Sequence, residues 1–214
     1  MQRLAIIGGT GLLNMATGQP FADAGIDVLS TDSFEVETPY GNVPLKSFHL
    51  RYGSEEKTLV FLQRHHNAGK PNKPPHTINH HANVWALKHA DMDAVLSVCS
   101  VGCIVESFPP GRVGLANQYI DFTGQTTTFH DDEAEFTSVT VPFDPDMNAS
   151  LETVLRKDQN LTDEPLFFFD FEGDENDRVL DKGERGNDGI IVTLDTVELG
   201  INEGAPRGST GSTS

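Results

Sequence analysis

This chain has few basic residues, few cysteines and no long apolar run, and each shortage excludes a class of protein. Lysine and arginine together number 15 against 32 acidic residues, which leaves a formal net charge of −17. Nucleic acid and anionic membrane surfaces repel such a protein, so neither is an expected partner. No apolar stretch approaches the roughly 20 residues that a membrane-spanning helix needs.

The cysteine content and the amino terminus both favour a cytoplasmic location. Cys99 and Cys103 are the only two cysteines and lie four positions apart, which is not the pattern of a disulfide framework. A charged-then-apolar leader is not expected, because the glycine-rich segment 8–11 interrupts the only early apolar run.

Composition changes along the chain and predicts two unequal parts. More than half of the acidic excess lies after residue 157, whereas all eight histidines, both cysteines and the single tryptophan lie before it. We predict an amino-terminal domain over residues 1–155 and a polar linker over residues 156–165. A short β-rich fragment with a frayed, Gly/Ser/Thr-rich end is predicted over residues 166–214.

Apolar spacing predicts alternating strands and helices, and therefore an α/β fold with a sheet flanked by helices. Asn79 is a suitable N-cap for a helix that ends near His89, with apolar residues at helical spacing. Strands are predicted at residues 4–9, 34–38, 44–50, 58–62, 93–98, 118–122, 166–171 and 189–194.

The first predicted strand opens into the turn Gly8-Gly9-Thr10-Gly11, which has the composition of an anion pocket. Glycine has no Cβ to keep an anion away from the backbone N–H groups, and Thr10 adds a hydroxyl donor. The turn therefore suggests a phosphate site, although a tight turn without a ligand fits the same pattern.

Two further predicted strands end in groups that suit an oxyanion. Arg64 and His65 follow one strand, and Cys99 and Ser100 follow another. Ligands of such sheets bind at the carboxyl ends of the strands, and the planar guanidinium fork matches phosphate oxygens. With Thr10, these residues form a predicted phosphate site. The alternative is that Arg64 pairs with a surface carboxylate while the histidines are solvated.

A cluster of histidines after the Arg64 strand raises the alternative of a metal site. Zinc requires three or four ligands at defined spacings, and the predicted cap at Asn79 leaves His76 outside the helix that carries His80. We therefore expect no metal and no organic cofactor. The cluster comprises His65, His66, His76, His80 and His81.

Six blocks of this sequence, in order, resemble the purine nucleoside phosphorylases, and among them the 5′-methylthioadenosine phosphorylases and their methylthioinosine relatives. The resemblance spans residues 4 to about 155 and implies a nucleoside phosphorylase α/β fold, usually assembled as a homotrimer. The blocks are Ile6-Ile-Gly-Gly-Thr-Gly-Leu12, Arg64-His65, Pro74-Pro-His-Thr-Ile-Asn79, Ala82-Asn-Val-Trp-Ala-Leu87, Pro110-Gly111 and Gln118-Tyr-Ile-Asp-Phe-Thr123.

The resemblance also implies a reaction and a set of site residues. Phosphate, as co-substrate, attacks C1′ of a purine nucleoside and releases the free base and a sugar 1-phosphate. Thr10, Arg64 and the Cys99-Ser100 turn are the implied phosphate-binding residues, and His65 lies beside them as a fifth. The threonine-alanine pair of many relatives falls on Cys99 and Ser100 in this chain.

The sequence departs from the family pattern in its second half. Gln125 or Thr126 stands where relatives carry an arginine, and from residue 156 onward the block that binds sugar and base has no counterpart. The late aspartate that assists the leaving base therefore has no assignable equivalent. We expect an intact phosphate half, a missing base half and weak or absent catalysis. A non-catalytic phosphate- or nucleoside-binding module is the alternative.

Residues 166–214 have a second resemblance, to the opening strands of a laminin-G-like jelly roll. Leu166–Gly173, Val179–Asp181 and Gly186–Gly189 carry it. The segment is too short to close such a sandwich, so it would be a fused fragment. Carbohydrate binding through this tail is a third functional hypothesis.

Overall fold

A computed structural model describes residues 2–67, 69, 72–102, 113–126, 128–158 and 188–196, and it places the seven strands of these ranges in one sheet. The sheet order is β2-β3-β4-β1-β5-β7-β6. The strands are β1 (Arg3–Gly8), β2 (Asp27–Val36), β3 (Val43–Tyr52), β4 (Glu55–Gln63), β5 (Ala94–Gly102), β6 (Val113–Leu115) and β7 (Asp188–Thr196). The helices are α1 (Gln19–Asp23), α2 (His80–His89) and α3 (Pro145–Asp158), with 3₁₀ helices at Thr10–Thr17 and Pro75–Thr77.

Parallel and antiparallel pairs are mixed within the sheet. Strand β1 is central and pairs in parallel with β4 and β5, whereas β2, β3 and β4 form an antiparallel meander. Strand β7 pairs antiparallel with β5 and parallel with β6. The predicted α/β class, with a mixed sheet flanked by helices, is confirmed.

Apolar side chains of β1 supply the core on both faces of the sheet, because successive side chains of a strand point to opposite faces. Ala5 belongs to a buried cluster that includes Ala86 and Leu87 of α2. Ile6 belongs to a second cluster, which contains Phe21 of α1 and the fully buried Phe48. This double burial explains the uninterrupted apolar run of β1 and fixes where its glycine turn emerges.

Helix α2 begins where the sequence predicts. The Asn79 side-chain oxygen accepts a hydrogen bond from the Ala82 backbone N–H at 3.0 Å, and its amide nitrogen donates to the Tyr40 carbonyl at 2.6 Å. The predicted N-cap and helix are therefore confirmed, and the cap also ties the helix to the turn between β2 and β3.

The predicted strand at residues 118–122 is wrong, since these residues form a loop after β6. Side-chain oxygens here accept hydrogen bonds from nearby backbone N–H groups, which is typical of turns and loops. The Gln118 side-chain oxygen accepts from the Tyr119 backbone N–H, and Asp121 accepts from the Thr123 backbone N–H at 2.7 Å.

Helix α3 covers the first residues of the predicted linker and was not expected. The Asp144 carboxylate accepts from the Met147 backbone N–H, and an ion pair joins Arg156 to Glu152 one turn earlier. Apolar side chains of α3 pack against Leu115 of β6. These local and tertiary contacts extend the helix into a sequence that is polar in composition.

The predicted strand at residues 189–194 occurs within β7, where it joins the sheet of the amino-terminal part. The predicted turn at residues 109–111 and strand at residues 166–171 lie outside the described residues. The linker at 156–165 and the laminin-G-like fragment at 166–214 stay predictions. No helix among the described ranges is both long enough and apolar enough to cross a membrane.

Candidate functional site

The register of three parallel strands brings the predicted site residues to one edge of the sheet. Gly8, the last residue of β1, lies opposite Gln63 of β4 on one side and Val98 of β5 on the other. The residues that follow these positions therefore meet, as ligand-binding groups do in open α/β sheets. We call the five predicted residues the strand-end cluster: Thr10, Arg64, His65, Cys99 and Ser100.

The Arg64 side chain points into the glycine turn. A Cβ added to Gly9 would lie 3.0 Å from Arg64 Nη2, so the guanidinium rests directly on this glycine. Arg64 Nη1 donates to Cys99 Sγ, and Nε donates to His65 Nε2 at 3.3 Å. Within the described part of the chain, no carboxylate forms an ion pair with Arg64, which disfavours the surface-pair alternative.

The two hydroxyls of the cluster lie beside the same turn. A Cβ added to Gly11 would lie 3.1 Å from Ser100 Oγ. Thr10 therefore sits between the glycine that contacts Arg64 and the glycine that contacts Ser100. Both hydroxyl-bearing residues are solvent-exposed, and among the described residues neither hydroxyl forms a hydrogen bond with the protein.

His65 is buried. Its Nδ1 lies 2.8 Å from the Lys73 carbonyl oxygen. Asn83 of α2, also buried, donates to the Arg64 carbonyl at 3.4 Å and contacts His66 Nε2 through its own side-chain oxygen. Sequence reasoning did not assign Asn83 a role. Its place in the block 82–87 was the only signal that could have found it.

A cavity of about 970 Å³ opens next to the strand-end cluster, between the start of α2 and the loop after β6. Ser97 of β5, two residues before Cys99, lines it together with His80, so the cavity lies near the strand-end cluster. Phe129 packs edge-on against Tyr40 and His81 along its wall. Sequence reasoning missed Tyr119, Asp121 and Phe129 as lining residues: the first two lie in the segment 118–122 that was predicted as a strand, and Phe129 was assigned no role.

Two residues that line the cavity, His80 and Asp121, have lowered pKa values. Burial lowers the pKa of His80, and the positive charge of Arg64 lowers it further, with smaller contributions from His81 and His65 when these are protonated. Hydrogen bonds from the Thr123 hydroxyl and backbone N–H lower the pKa of Asp121. Arg64 thus adds positive charge near His80, and Asp121 is an ionised carboxylate at neutral pH.

Metal-ligating side chains do not assemble in the described ranges. No group of three or more histidine, cysteine or acidic residues there is arranged to hold a metal ion. Of the histidine cluster, His65 and His66 are engaged by Lys73 and Asn83, whereas His76, His80 and His81 line the cavity.

This fold belongs to a known class. A sequence profile of the phosphorylase superfamily matches residues 3–196, so the chain belongs to that superfamily. The matched region extends beyond residue 155, the end of the resemblance described above, and includes β7.

Named relatives divide among several nucleoside phosphorylases. The chain is 36% identical over 160 residues to a probable 6-oxopurine nucleoside phosphorylase of Moorella thermoacetica, covering 72% of this chain and 55% of that protein. It is 31% identical to an S-methyl-5′-thioadenosine phosphorylase of Thermococcus kodakarensis, covering 69% and 52%. A probable S-methyl-5′-thioinosine phosphorylase of Methanothermobacter thermautotrophicus is 30% identical, with 69% and 48% covered.

A solved structure agrees with these matches. Methylthioadenosine phosphorylase from Schistosoma mansoni, in complex with adenine, superimposes with a TM-score of 0.55 at 25% identity. The aligned region covers 74% of this chain and 52% of that one. The chain spans about half the length of the curated relatives it matches.

Proposed function

We propose that this chain binds inorganic phosphate at the strand-end cluster and a purine nucleoside in the adjacent cavity. The reaction that this pair of sites serves is phosphorolysis of 5′-methylthioadenosine or a related purine nucleoside to the free base and a sugar 1-phosphate. The observation that carries the proposal is the Arg64 guanidinium resting on Gly9 of the glycine turn, with the Ser100 hydroxyl beside Gly11 of the same turn.

The strand-end cluster has the chemistry of a phosphate site. The guanidinium supplies positive charge and several N–H donors, and Thr10 and Ser100 supply hydroxyls that no protein group among the described residues occupies. The glycines let an anion approach the backbone N–H groups, which side chains would otherwise keep at a distance. Charge-assisted hydrogen bonds from these groups favour a dianion over water.

The cavity has the size and lining of a nucleoside site. Its volume of about 970 Å³ accommodates a small molecule, and Tyr119 and Phe129 supply aromatic surface for a purine ring. Asn79 and the histidines of α2 supply polar groups for a sugar or a base. Because Ser97, which lines the cavity, lies two residues before Cys99 on β5, a nucleoside in the cavity would lie close to phosphate held by Arg64.

The reaction follows from this proximity. As the bond from C1′ to the purine nitrogen breaks, the sugar gains oxocarbenium character, and the bond electrons leave with the base. A fixed phosphate dianion stabilises the developing cation, and one of its oxygens then bonds to C1′. The leaving base needs a proton or a hydrogen-bond donor at its nitrogen. Asp121 does not supply that proton, because its pKa is lowered and it remains a carboxylate.

This last point favours a second candidate, a phosphate- and nucleoside-binding module with little or no turnover. Among the described residues, the cavity is lined by no acidic group other than Asp121. The homotrimer implied by the resemblance and the cytoplasmic location expected from composition are further parts of the proposal.

Binding and turnover can be measured separately. We expect phosphate and 5′-methylthioadenosine each to raise the melting temperature, because a ligand that binds only the folded state stabilises it. Free adenine, followed by chromatography, should appear slowly or not at all; 5′-methylthioinosine and inosine are run in parallel. Chloride at equal ionic strength is the control. Rapid release of base would reject the binding-module candidate, and the absence of any phosphate-induced stabilisation would reject both candidates.

Phosphate binding should also change the titration of His80. The charge of Arg64 lowers the pKa of this histidine, so a dianion bound at Arg64 offsets the repulsion and raises the pKa towards its ordinary value. Proton NMR titration with and without phosphate measures the shift. In Arg64→Ala, the His80 pKa should start higher and should no longer respond to phosphate. A phosphate-independent His80 pKa in the unmodified protein contradicts binding at this place.

A further inference from the structure

We infer that His65 is a positioning residue that orients the Arg64 guanidinium, and that it does so as the uncharged Nδ1–H tautomer. The inference rests on the proposed function for its role in phosphate binding, although the tautomer itself can be tested without any ligand. It assigns His65 to a place behind the phosphate site, acting through Arg64, instead of direct contact with the anion.

The two partners of the imidazole ring determine its tautomer. A backbone carbonyl can only accept a hydrogen bond, so the ring nitrogen 2.8 Å from the Lys73 oxygen, Nδ1, carries the hydrogen. The Nε–H of arginine can only donate, so His65 Nε2 offers its lone pair to Arg64. Both ring nitrogens are thereby used. The ring has no N–H left for phosphate and carries no charge in this arrangement.

This hydrogen bond restricts the guanidinium. With Nε held by His65 and one Nη1 hydrogen directed at Cys99, the remaining N–H groups lie at the outer end of the fork, beside Gly9. That end offers the paired donors that match two oxygens of one phosphate. Because the fork is oriented before the ligand arrives, less conformational entropy is lost on binding.

Burial makes His65 suited to this role. The ring is buried, and its own position is fixed through Lys73, whose backbone N–H also donates to the His65 carbonyl at 2.9 Å. These two contacts join His65 to the backbone of Lys73. The imidazole therefore links the backbone of Lys73 to the side chain of Arg64, which must point at the anion.

Two substitutions separate the contacts of the ring. In His65→Asn, the side-chain amide nitrogen stands near the position of Nδ1 and can still donate to Lys73, but nothing reaches Arg64 Nε. In His65→Gln, the side-chain oxygen stands near the position of Nε2 and can accept from Arg64. We expect phosphate affinity to fall about tenfold in His65→Asn, in line with loss of a hydrogen bond to a charged group, and to stay within about threefold in His65→Gln.

Isothermal titration with inorganic phosphate measures these affinities, and thermal unfolding checks that both variants fold. Equal weakening in the two variants, or wild-type affinity in His65→Asn, overturns the inference. The ligand-free protein gives an independent test that stands even if no phosphate binds. Long-range ¹⁵N–¹H NMR should show a protonated Nδ1 and an unprotonated Nε2 for His65, and the Arg64 Nε–H resonance should shift in His65→Asn. A protonated Nε2 overturns the inference.

Discussion

Phosphate affinity is expected to fall on the order of 100-fold when Arg64 is replaced by alanine. The guanidinium is the cationic side chain at the glycine turn, and its contact with Gly9 places its donors where an anion would sit. Hydrogen bonds to charged groups contribute roughly 1.5–3 kcal/mol each, and a bidentate pair contributes geometry as well as charge. Titration calorimetry with inorganic phosphate measures the loss, at constant ionic strength because exposed charges are screened by salt.

Arg51 provides a matched control within the same chain. It lies on β3, is exposed, and pairs with Asp27 at 3.1 Å. Arg51→Ala removes the same charge from the protein and should leave phosphate affinity within about twofold, since it tests only the long-range field. The phosphate affinity of Arg64→Lys should lie between those of Arg64→Ala and Arg51→Ala, because an ammonium keeps the charge but loses the planar fork. Equal affinities in Arg64→Ala and Arg51→Ala would mean that phosphate binds elsewhere.

A glycine-to-alanine change at position 8 is expected to lower the free energy of unfolding by about 1–3 kcal/mol, the range typical of overpacked cores. The added Cβ would lie 2.7 Å from Cε2 of the Phe61 ring and 3.0 Å from the Leu12 Cβ. Phe61 is only 3% exposed and belongs to the core beside α1, so its packed ring must shift to admit the added Cβ. Urea denaturation followed by circular dichroism measures the change.

Gly102 is the control for this substitution. It is also the last residue of a strand, β5, but a Cβ there would meet nothing within 4 Å. Gly102→Ala should therefore change the stability by no more than about 0.5 kcal/mol, as is usual for surface positions. If the two alanine variants unfold at the same urea concentration, close packing is not the reason for glycine at the end of β1.

Local signals in the sequence were sufficient for the elements that position the site. The Asn79 cap and the spacing of apolar residues predicted α2, because capping is decided within one helical turn. The apolar run of β1 and its glycine turn were equally local. The convergence of Arg64, Cys99 and Thr10 on one edge also followed, since parallel strands deliver their carboxyl ends to the same side.

Features decided by distant contacts were not predictable in the same way. The Tyr, Ile and Phe content of residues 118–122 is typical of a strand, but the Gln118 side chain donates to the carbonyls of Val139 and Thr140, and these residues form a loop. Helix α3 gains its apolar partner, Leu115, from an element thirty positions earlier or more. The double engagement of the His65 ring depends on Lys73, whose position no local pattern gives.

The place of β7 in the sheet has a consequence for how the protein is made. Residues 188–196 pair with the whole length of β5, and Cys99 and Ser100 lie opposite Ile191 and Ile190. During synthesis, β5 therefore lacks its neighbour β7 until the ribosome has added some ninety further residues. Until then its backbone donors and acceptors are unpaired on that side, which is the kind of edge that recruits other chains. Completion of the strand-end cluster is thus a late event in the synthesis and folding of this chain.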